Sequence, residues 1–104
     1  MWTVEYLREA LEDIKKLDHG QRVQVVKAMQ KVSINPLPYT EGGYGKPLGT
    51  NLTGFCKIKL RGSGLRVVYQ VVREDKLMRI IVVSARADDT VYLIAHKRLG
   101  KEKH

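Results

Sequence analysis

Within residues 55–61, apolar and cationic side chains alternate strictly from Cys56 to Arg61, which is the pattern of a β-strand with one buried face. Successive side chains of a strand point to opposite faces of a sheet, so the two kinds of residue separate completely. The apolar side consists of Cys56, Ile58 and Leu60, and the cationic side consists of Lys57, Lys59 and Arg61. Residues two apart on a strand lie about 6–7 Å apart, so the segment predicts a row of positive charges on an exposed face.

The spacing of apolar residues predicts six further elements along the chain. The predicted elements are a strand at 2–6, helices at 7–17 and 21–33, strands at 55–61, 65–73 and 77–84, and a helix at 91–99. Asp88, Asp89 and Thr90 supply an N-cap for the last helix, and Gly100 is expected to end it. The order β-α-α-β-β-β-α predicts an α+β fold, a mainly antiparallel curved sheet with helices packed on one face.

The apolar stripes of the first two helices predict which of their residues face the core. In the first helix the inward residues are Leu7, Ala10, Leu11, Ile14 and Leu17, and Asp13, Lys15 and Lys16 are expected outside. In the second helix the inward residues are Val23, Val26, Met29 and Val32. The short connection between the two helices predicts an antiparallel helical hairpin.

Between the second helix and the row of charges, residues 36–54 contain all three prolines and five of the nine glycines. That composition favours irregular structure over a helix or a strand. We expect an ordered loop packed by Leu37, Tyr39, Tyr44 and Leu48. Long loops in small proteins often belong to function.

The chain is basic, and the excess charge is concentrated in its second half. Its 104 residues are expected to form one domain, 1–104, with a formal net charge of +8. Residues 1–54 contain seven Lys/Arg against six Asp/Glu, whereas residues 55–99 contain ten against four. Such segregation favours one electropositive face and an anionic partner.

Several familiar classes of protein are disfavoured. No apolar run approaches the roughly 18 residues of a membrane span, and the N-terminus has no apolar signal core. His19, His96 and His104 lack metal-ligand spacing, so neither a metal nor a cofactor is expected. The single cysteine, Cys56, falls on an apolar face and is interpreted as a buried thiol of the reducing cytosol.

A group of cations with one tyrosine remains, and this composition suits binding RNA and cleaving it without a metal. A lysine with a pKa of about 10.4 is a poor base at neutral pH, but neighbouring positive charges disfavour its protonated form. Lys57 and Lys59 beside Arg66 and Arg86 would provide such surroundings. Arginine stays protonated and can hold phosphate oxygens, and the ring of Tyr92 can stack on a base.

The segments 55–72 (FCKIKLRGSGLRVVYQVV) and 82–99 (VVSARADDTVYLIAHKRL) resemble the RelE-type toxins of bacterial toxin–antitoxin modules. The resemblance extends over nearly the whole chain and rests on K-x-K, G-x-R-x-V-Y and R-x5-Y together. It implies the small microbial-ribonuclease-like fold and a ribosome-dependent endoribonuclease that cleaves mRNA in the ribosomal A site by attack of the 2′-hydroxyl. It also implies a cognate antitoxin, the ribosome with its rRNA and mRNA as partners, and a cytoplasmic location without a membrane.

Matched by position, the resemblance implies a role for each candidate catalytic residue. Lys57 and Lys59 correspond to a basic pair implicated in proton transfer and transition-state stabilisation. Arg66 corresponds to an arginine that holds the scissile phosphate, and Arg86 to a second catalytic arginine, for which we favour charge stabilisation. Tyr92 corresponds to the tyrosine that stacks on the mRNA base.

Further basic residues are expected to contact RNA or the ribosome, and two other functions remain open. The additional contact residues are Lys46, Arg61, Arg73, Lys97 and Arg98. The first alternative is a ParE-like toxin, which shares the fold but inhibits DNA gyrase. The second is a binder of RNA or ribosomes without catalytic activity, which would not require Tyr92 or Arg86 in particular.

Overall fold

The computed structural model describes residues 1–48, 54–86 and 88–102, with the backbone alone for 88, 89, 101 and 102. Five strands and three helices span the described residues. They are β1 Thr3–Tyr6, α1 Arg8–Lys15, α2 His19–Val32, β2 Lys46–Pro47, β3 Phe55–Leu60, β4 Leu65–Val72, β5 Leu77–Ser84 and α3 Asp88–Glu102. The α+β class is therefore confirmed.

The five strands form one sheet in the order β1-β5-β4-β3-β2. Strands β2 to β5 pair in antiparallel fashion, whereas β1 lies parallel to β5 at the edge. The three long strands lie within one residue of their predicted bounds at each end. The register of β4 against β5 shifts between Val68 and Tyr69, as it does at a β-bulge.

The central strand β4 is buried on both of its faces. Leu65, Val67 and Tyr69 lie on the side of Cys56 and Leu60, which we call the apolar face of the sheet. Val68 points to the other side, yet it too is fully buried.

Because Tyr92 of α3 contacts Lys57, which is paired with Val68, α3 covers this second face. The expectation that all helices pack on one face is thus wrong for α3, because consecutive β4 residues need cover on both sides.

The helical hairpin of α1 and α2 packs against the apolar face. Asp18 caps α2 by accepting a hydrogen bond from the Gln21 amide (2.8 Å), and the Gln21 side chain returns a bond to the Asp18 amide. The buried residues of α2 are Val25, Met29 and Val32. Met29 and Val32 are thus buried as predicted, whereas Val23 and Val26 are 38% and 45% exposed and Val25 is buried in their place.

The inner face of α1 also differs from its predicted pattern. Leu7 and Ala10 are buried as expected, but Leu11 is 46% exposed. Asp13, expected outside, turns inward instead. Its carboxylate accepts a hydrogen bond from the Val83 amide at the edge of β5 (3.0 Å), where β1 no longer covers that strand.

The loop after α2 is fixed by backbone hydrogen bonds more than by its side chains. Tyr39 and Tyr44 are exposed, so their expected packing role is wrong, whereas Leu37 and Leu48 are half-buried. The hydroxyl of buried Tyr69 donates to the Pro36 carbonyl (2.7 Å), and the Tyr39 amide donates to Gly45 (2.7 Å).

Gly45 lies where this loop crosses the sheet. A Cβ there would overlap the Tyr69 hydroxyl and Cys56, so only glycine fits without displacing them. Residues 49–53 of the predicted loop lie outside the described residues.

The last helix is longer than expected. Val91 and Ala95 are fully buried, and Ile94 and Leu99 pack against the core, which confirms the predicted stripe. The helix continues through Gly100 to Glu102 instead of ending there. A glycine inside a helix costs only about 1 kcal/mol, which neighbouring helix formers can offset.

Candidate active site

The pairing of strands places the predicted basic residues in adjacent rows on one face. Lys46 lies opposite Lys57, and Lys59 lies opposite Arg66, which in turn lies opposite Ser84. Directly paired residues of an antiparallel sheet share a face, with Cβ atoms about 4.5–5.5 Å apart. We call this side of the sheet the basic face.

Two contacts bring the remaining predicted residues onto the basic face. The Nζ atom of Lys57 lies 5.6 Å from the centre of the Tyr92 ring, so α3 presents its aromatic side chain to β3. The Arg66 guanidinium donates a hydrogen bond to the backbone carbonyl of Arg86 (2.8 Å). The segment that follows β5 is thereby tied to the middle of the sheet.

The five predicted catalytic residues therefore converge, and we call them the basic cluster. They are Lys57, Lys59, Arg66, Arg86 and Tyr92. They come from β3, β4, α3 and the segment between β5 and α3. Lys59 and Arg86 are exposed, whereas Lys57, Arg66 and Tyr92 are half-buried. The exposed cations can meet a polyanion while the half-buried side chains are held in place by their surroundings.

The Arg86 backbone has a second anchor that the sequence did not indicate. The Ser84 hydroxyl accepts a hydrogen bond from the Arg86 amide (3.1 Å). This short-range bond turns the chain at the end of β5, as serine hydroxyls often do in turns. Arg86 is thus fixed through both its amide and its carbonyl, and its side chain extends from a defined position.

The five additional contact residues are distributed differently. Lys46 is exposed on the basic face beside Lys57, and Arg61 is exposed in the turn after β3. The backbone carbonyl of Arg61 accepts a hydrogen bond from the Gln24 side chain of α2 (2.9 Å), which fixes that turn. Lys97 is exposed on α3.

Arg73 and Arg98 are not brought to the basic cluster. Arg73 binds Glu41 of the loop through two hydrogen bonds of 2.8 and 2.6 Å. Arg98 turns inward and binds both carboxylate oxygens of Asp13 (2.7 and 3.0 Å) as well as the Ile81 carbonyl (2.8 Å). Both guanidinium groups already have carboxylate partners, so the structure does not offer them freely to RNA.

The single cysteine lies on the opposite side of the sheet from the basic cluster. Cys56 is 1% exposed, and burial raises the pKa of its thiol. The neighbouring Tyr69 hydroxyl also has a raised pKa because of its burial. Both groups are neutral at physiological pH, and they belong to the packing of the apolar face.

Metal-ligating side chains do not cluster within the part of the chain that the structure describes. His19 and His96 are exposed, and His104 lies outside the described residues. Across the same described ranges, no helix combines the length and apolar character needed to cross a membrane.

Comparison with known proteins places this geometry in a family. Residues 4–90 match the family described as ParE toxin of type II toxin-antitoxin system, parDE. The mRNA interferase toxin RelE of Escherichia coli K12 is 33% identical over 96 residues, which are 92% of this chain and 95% of that protein.

Solved structures agree with the sequence comparison. An arginine-to-alanine double mutant of the E. coli toxin RelE in the free state superposes with a TM-score of 0.79 at 31% identity, covering 94% of this chain and 97% of that one. The same mutant in complex with an antitoxin RelBc peptide has a TM-score of 0.70 at 31% identity, covering 90% and 93%. The chain therefore belongs to the RelE/ParE family of toxins from type II toxin–antitoxin modules.

Proposed function

We propose that the protein is a toxin that cleaves mRNA in the ribosomal A site without a metal. One observation carries this proposal: Lys57, Lys59, Arg66, Arg86 and Tyr92 converge on one face although they come from four segments. The relationship to a protein named mRNA interferase supports the same reaction.

The cluster has the parts that such cleavage needs. Attack of the 2′-hydroxyl on the neighbouring phosphorus requires a proton acceptor, charge stabilisation at the phosphate and support for the leaving 5′-oxygen. Lys57 and Lys59 lie on the same strand face, and we assign the proton-accepting role to this lysine pair. The products are a cyclic phosphate and a 5′-hydroxyl.

The two arginines supply the positive charge. Arg66 is half-buried at the centre of the cluster, and Arg86 is exposed at its margin. Guanidinium groups present several N–H donors in a fixed plane and remain protonated, so we assign both to the phosphate oxygens. We assign Tyr92 to the base, since its ring lies beside Lys57 and can stack against a nucleotide held there.

Inhibition of DNA gyrase is the alternative that the family match brings with it, since that family is described as ParE toxins. A gyrase inhibitor needs a surface complementary to its protein target and has no need for a lysine pair, two arginines and a tyrosine around one point. The basic cluster therefore favours RNA cleavage over gyrase inhibition. It likewise favours cleavage over simple RNA binding.

The partners follow from the reaction and from the relatives. We infer a cognate antitoxin, because a RelE mutant is seen with an antitoxin RelBc peptide. The ribosome would order the mRNA against the cluster, which lowers the entropic cost of bringing phosphate and cations together. Because the proposed substrate is mRNA under translation, we propose that the protein acts as a single domain in the cytoplasm.

Mapping of cleavage ends on a defined mRNA tests the proposal. The mRNA is incubated with the purified toxin, with and without ribosomes stalled at a known codon. EDTA is added after the ribosome complex has assembled, at a level that chelates only the free divalent ions. We expect cuts within the A-site codon that end in a cyclic phosphate and a 5′-hydroxyl, and very slow cleavage without ribosomes.

A gyrase assay runs in parallel with the same preparation. If the protein blocks supercoiling by gyrase and leaves the mRNA intact, its function is the ParE-like one and not the one proposed. Ribosome binding without cleavage by the wild-type protein would leave only the binding function.

A further inference from the structure

A cleft of about 470 Å³ lies next to the basic cluster, between α1, α3 and the end of β5. Its size falls within the range of ordinary small-ligand sites. Leu17 and Ile94, both half-buried, supply apolar wall, and Lys16 and Arg86 supply exposed cations. Since Arg86 also belongs to the basic cluster, the cleft is continuous with the candidate active site.

The inner wall of the cleft is rigid and nearly neutral. Asp13 and Arg98 line it, and their side chains are only 14% and 16% exposed. The two charges compensate each other, and their remaining hydrogen bonds go to the backbone of β5. An anion entering the cleft is therefore left with Lys16 and Arg86 as its exposed cationic partners among the lining residues.

We propose that this cleft binds the nucleotide adjacent to the scissile phosphodiester, with Lys16 contacting its phosphate. The proposal rests on the function proposed above and extends it by one nucleotide along the RNA. Lys16 is the C-cap residue of α1, so its side chain projects from the end of a helix that packs on β5. Lys16 is not among the residues that the sequence predicted to contact RNA or the ribosome.

The chemistry of the cleft fits a nucleotide better than it fits an isolated anion. A nucleotide combines a flat, largely apolar base with a charged phosphate, and the cleft pairs an aliphatic wall with cations at its mouth. Inorganic phosphate would use the cations alone. A nucleotide placed here would also be linked directly to the phosphate that Arg86 contacts.

Titration of the isolated toxin with a short single-stranded RNA tests the site. The probe carries 2′-O-methyl riboses, so the attacking hydroxyl is blocked and the RNA stays intact. Methyl resonances of Leu17, Val82 and Ile94 report on the cleft, and Ile34, exposed after α2, serves as the remote reference. We expect the three cleft methyls to shift together and Ile34 to remain unchanged.

Lys16→Ala and Lys15→Ala form a matched pair for the same titration. Both lysines are exposed at the end of α1, but Lys15 lies 3.7 Å from Glu12 and does not line the cleft. We expect Lys16→Ala to weaken RNA binding about tenfold and to make its salt dependence shallower, because one phosphate contact is lost. Lys15→Ala should change binding less than about twofold.

Four outcomes would overturn the assignment. The first is that RNA shifts Tyr92 but leaves the cleft methyls unmoved, and the second is that inorganic phosphate moves the same methyls equally. The third is that Lys15→Ala weakens binding as much as Lys16→Ala does. The fourth is that a poly-glutamate peptide binds as well as RNA, which would indicate an acidic protein segment. None of these results requires cleavage, so they are distinguishable from failure of the proposed function.

Discussion

The two faces of the β3–β4 strand pair differ in how their polar groups are satisfied. On the apolar face, the Tyr69 hydroxyl has a dedicated partner in the Pro36 carbonyl, and Gly45 closes over both it and Cys56. On the basic face, like charges lie opposite each other on paired strands: Lys59 lies opposite Arg66, and Lys57 lies opposite Lys46. Like charges opposite each other destabilise a sheet. The apolar face thus satisfies its polar groups within the fold, whereas the exposed part of the basic face retains unfavourable charge that an RNA phosphate would neutralise.

The largest expected effect comes from removing a cation on the basic face. Arg86→Ala should lower the cleavage rate on ribosomes by about 10²–10³-fold, as the loss of one charge-stabilising donor does in other enzymes. Because the Arg86 side chain is exposed, the unfolding midpoint should hardly change. Single-turnover cleavage and thermal unfolding measure the two effects separately.

Arg73→Ala is the matched control for that variant. Arg73 is also an exposed arginine, but it binds Glu41 outside the basic cluster. Cleavage by this variant should stay within a few-fold of wild type. An equal loss of activity in both variants would mean that overall charge, and not the cluster, determines activity.

The next largest effect is expected where α1 and α3 meet across the edge of β5. Arg98→Met keeps most of the side-chain volume but leaves the Asp13 carboxylate half-buried beside a single amide donor. The free energy of unfolding should fall by about 2–3 kcal/mol, because a buried charge without its partner is costly. Denaturant unfolding measures the loss.

A double variant sharpens this prediction. Asp13→Leu combined with Arg98→Met removes both charges, and its stability should recover most of what the single variant loses. If the double variant loses as much free energy of unfolding as the two single variants lose together, the pair stabilises the fold through its hydrogen bonds to the backbone and not through its charge balance.

A moderate effect is expected on the apolar face. Gly45→Ala should lower the free energy of unfolding by about 1–3 kcal/mol, because its methyl group overlaps the Tyr69 hydroxyl and Cys56. Gly20→Ala, in the first turn of α2, meets nothing closer than 3.5 Å and should be neutral or slightly stabilising. At a temperature where both variants are folded, ribosome-dependent cleavage should match wild type.

A loss of cleavage in folded Gly45→Ala would contradict the division of labour between the two faces. It would show that the loop after α2 contributes to the reaction as well as to the packing of the sheet.

The smallest effect concerns the exposed pair of Glu41 and Arg73. The hydrogen bond and charge of Arg73 lower the pKa of Glu41 below its ordinary value of 4.5. The pair therefore stabilises the fold above pH 4.5, and this contribution is lost as the pH falls through the lowered pKa. Glu41→Gln should reduce the acid sensitivity of the unfolding midpoint slightly, whereas Glu74→Gln, in an exposed turn, should not.

The sequence predicted β3 well because its side chains alternate, and it predicted β4 and β5 well because they are eight-residue runs of mostly apolar, β-branched residues bounded by turns. The tight turn at 61–64 also determines that Lys59 pairs with Arg66. Three of the five residues of the basic cluster, Lys57, Lys59 and Arg66, could therefore be placed on one face from the local pattern. Strand β2 was not predicted because its two residues, Lys46 and Pro47, are too few to show a periodic pattern of apolar and polar side chains.

The errors arose where packing between distant segments decided the outcome. Valines at 23, 25 and 26 permit two different inward stripes on α2, and contact with β3 selects Val25. Asp13 and Arg98 are 85 residues apart, so their pairing could not be inferred from either helix alone. The contact of Lys57 with Tyr92 depends likewise on where α3 docks, which the family resemblance implied but the spacing of residues did not.

The parallel pairing of β1 with β5 has a consequence for synthesis of the protein. The first strand to leave the ribosome must wait for the fifth, because Thr3 to Tyr6 pair with Leu77 to Ile80. Contacts between such distant segments form late and slowly. Tyr92 emerges later still, so a nascent chain cannot assemble its basic cluster while most of it is still being translated. Under the function proposed above, cleavage can begin only after this late assembly of the basic cluster.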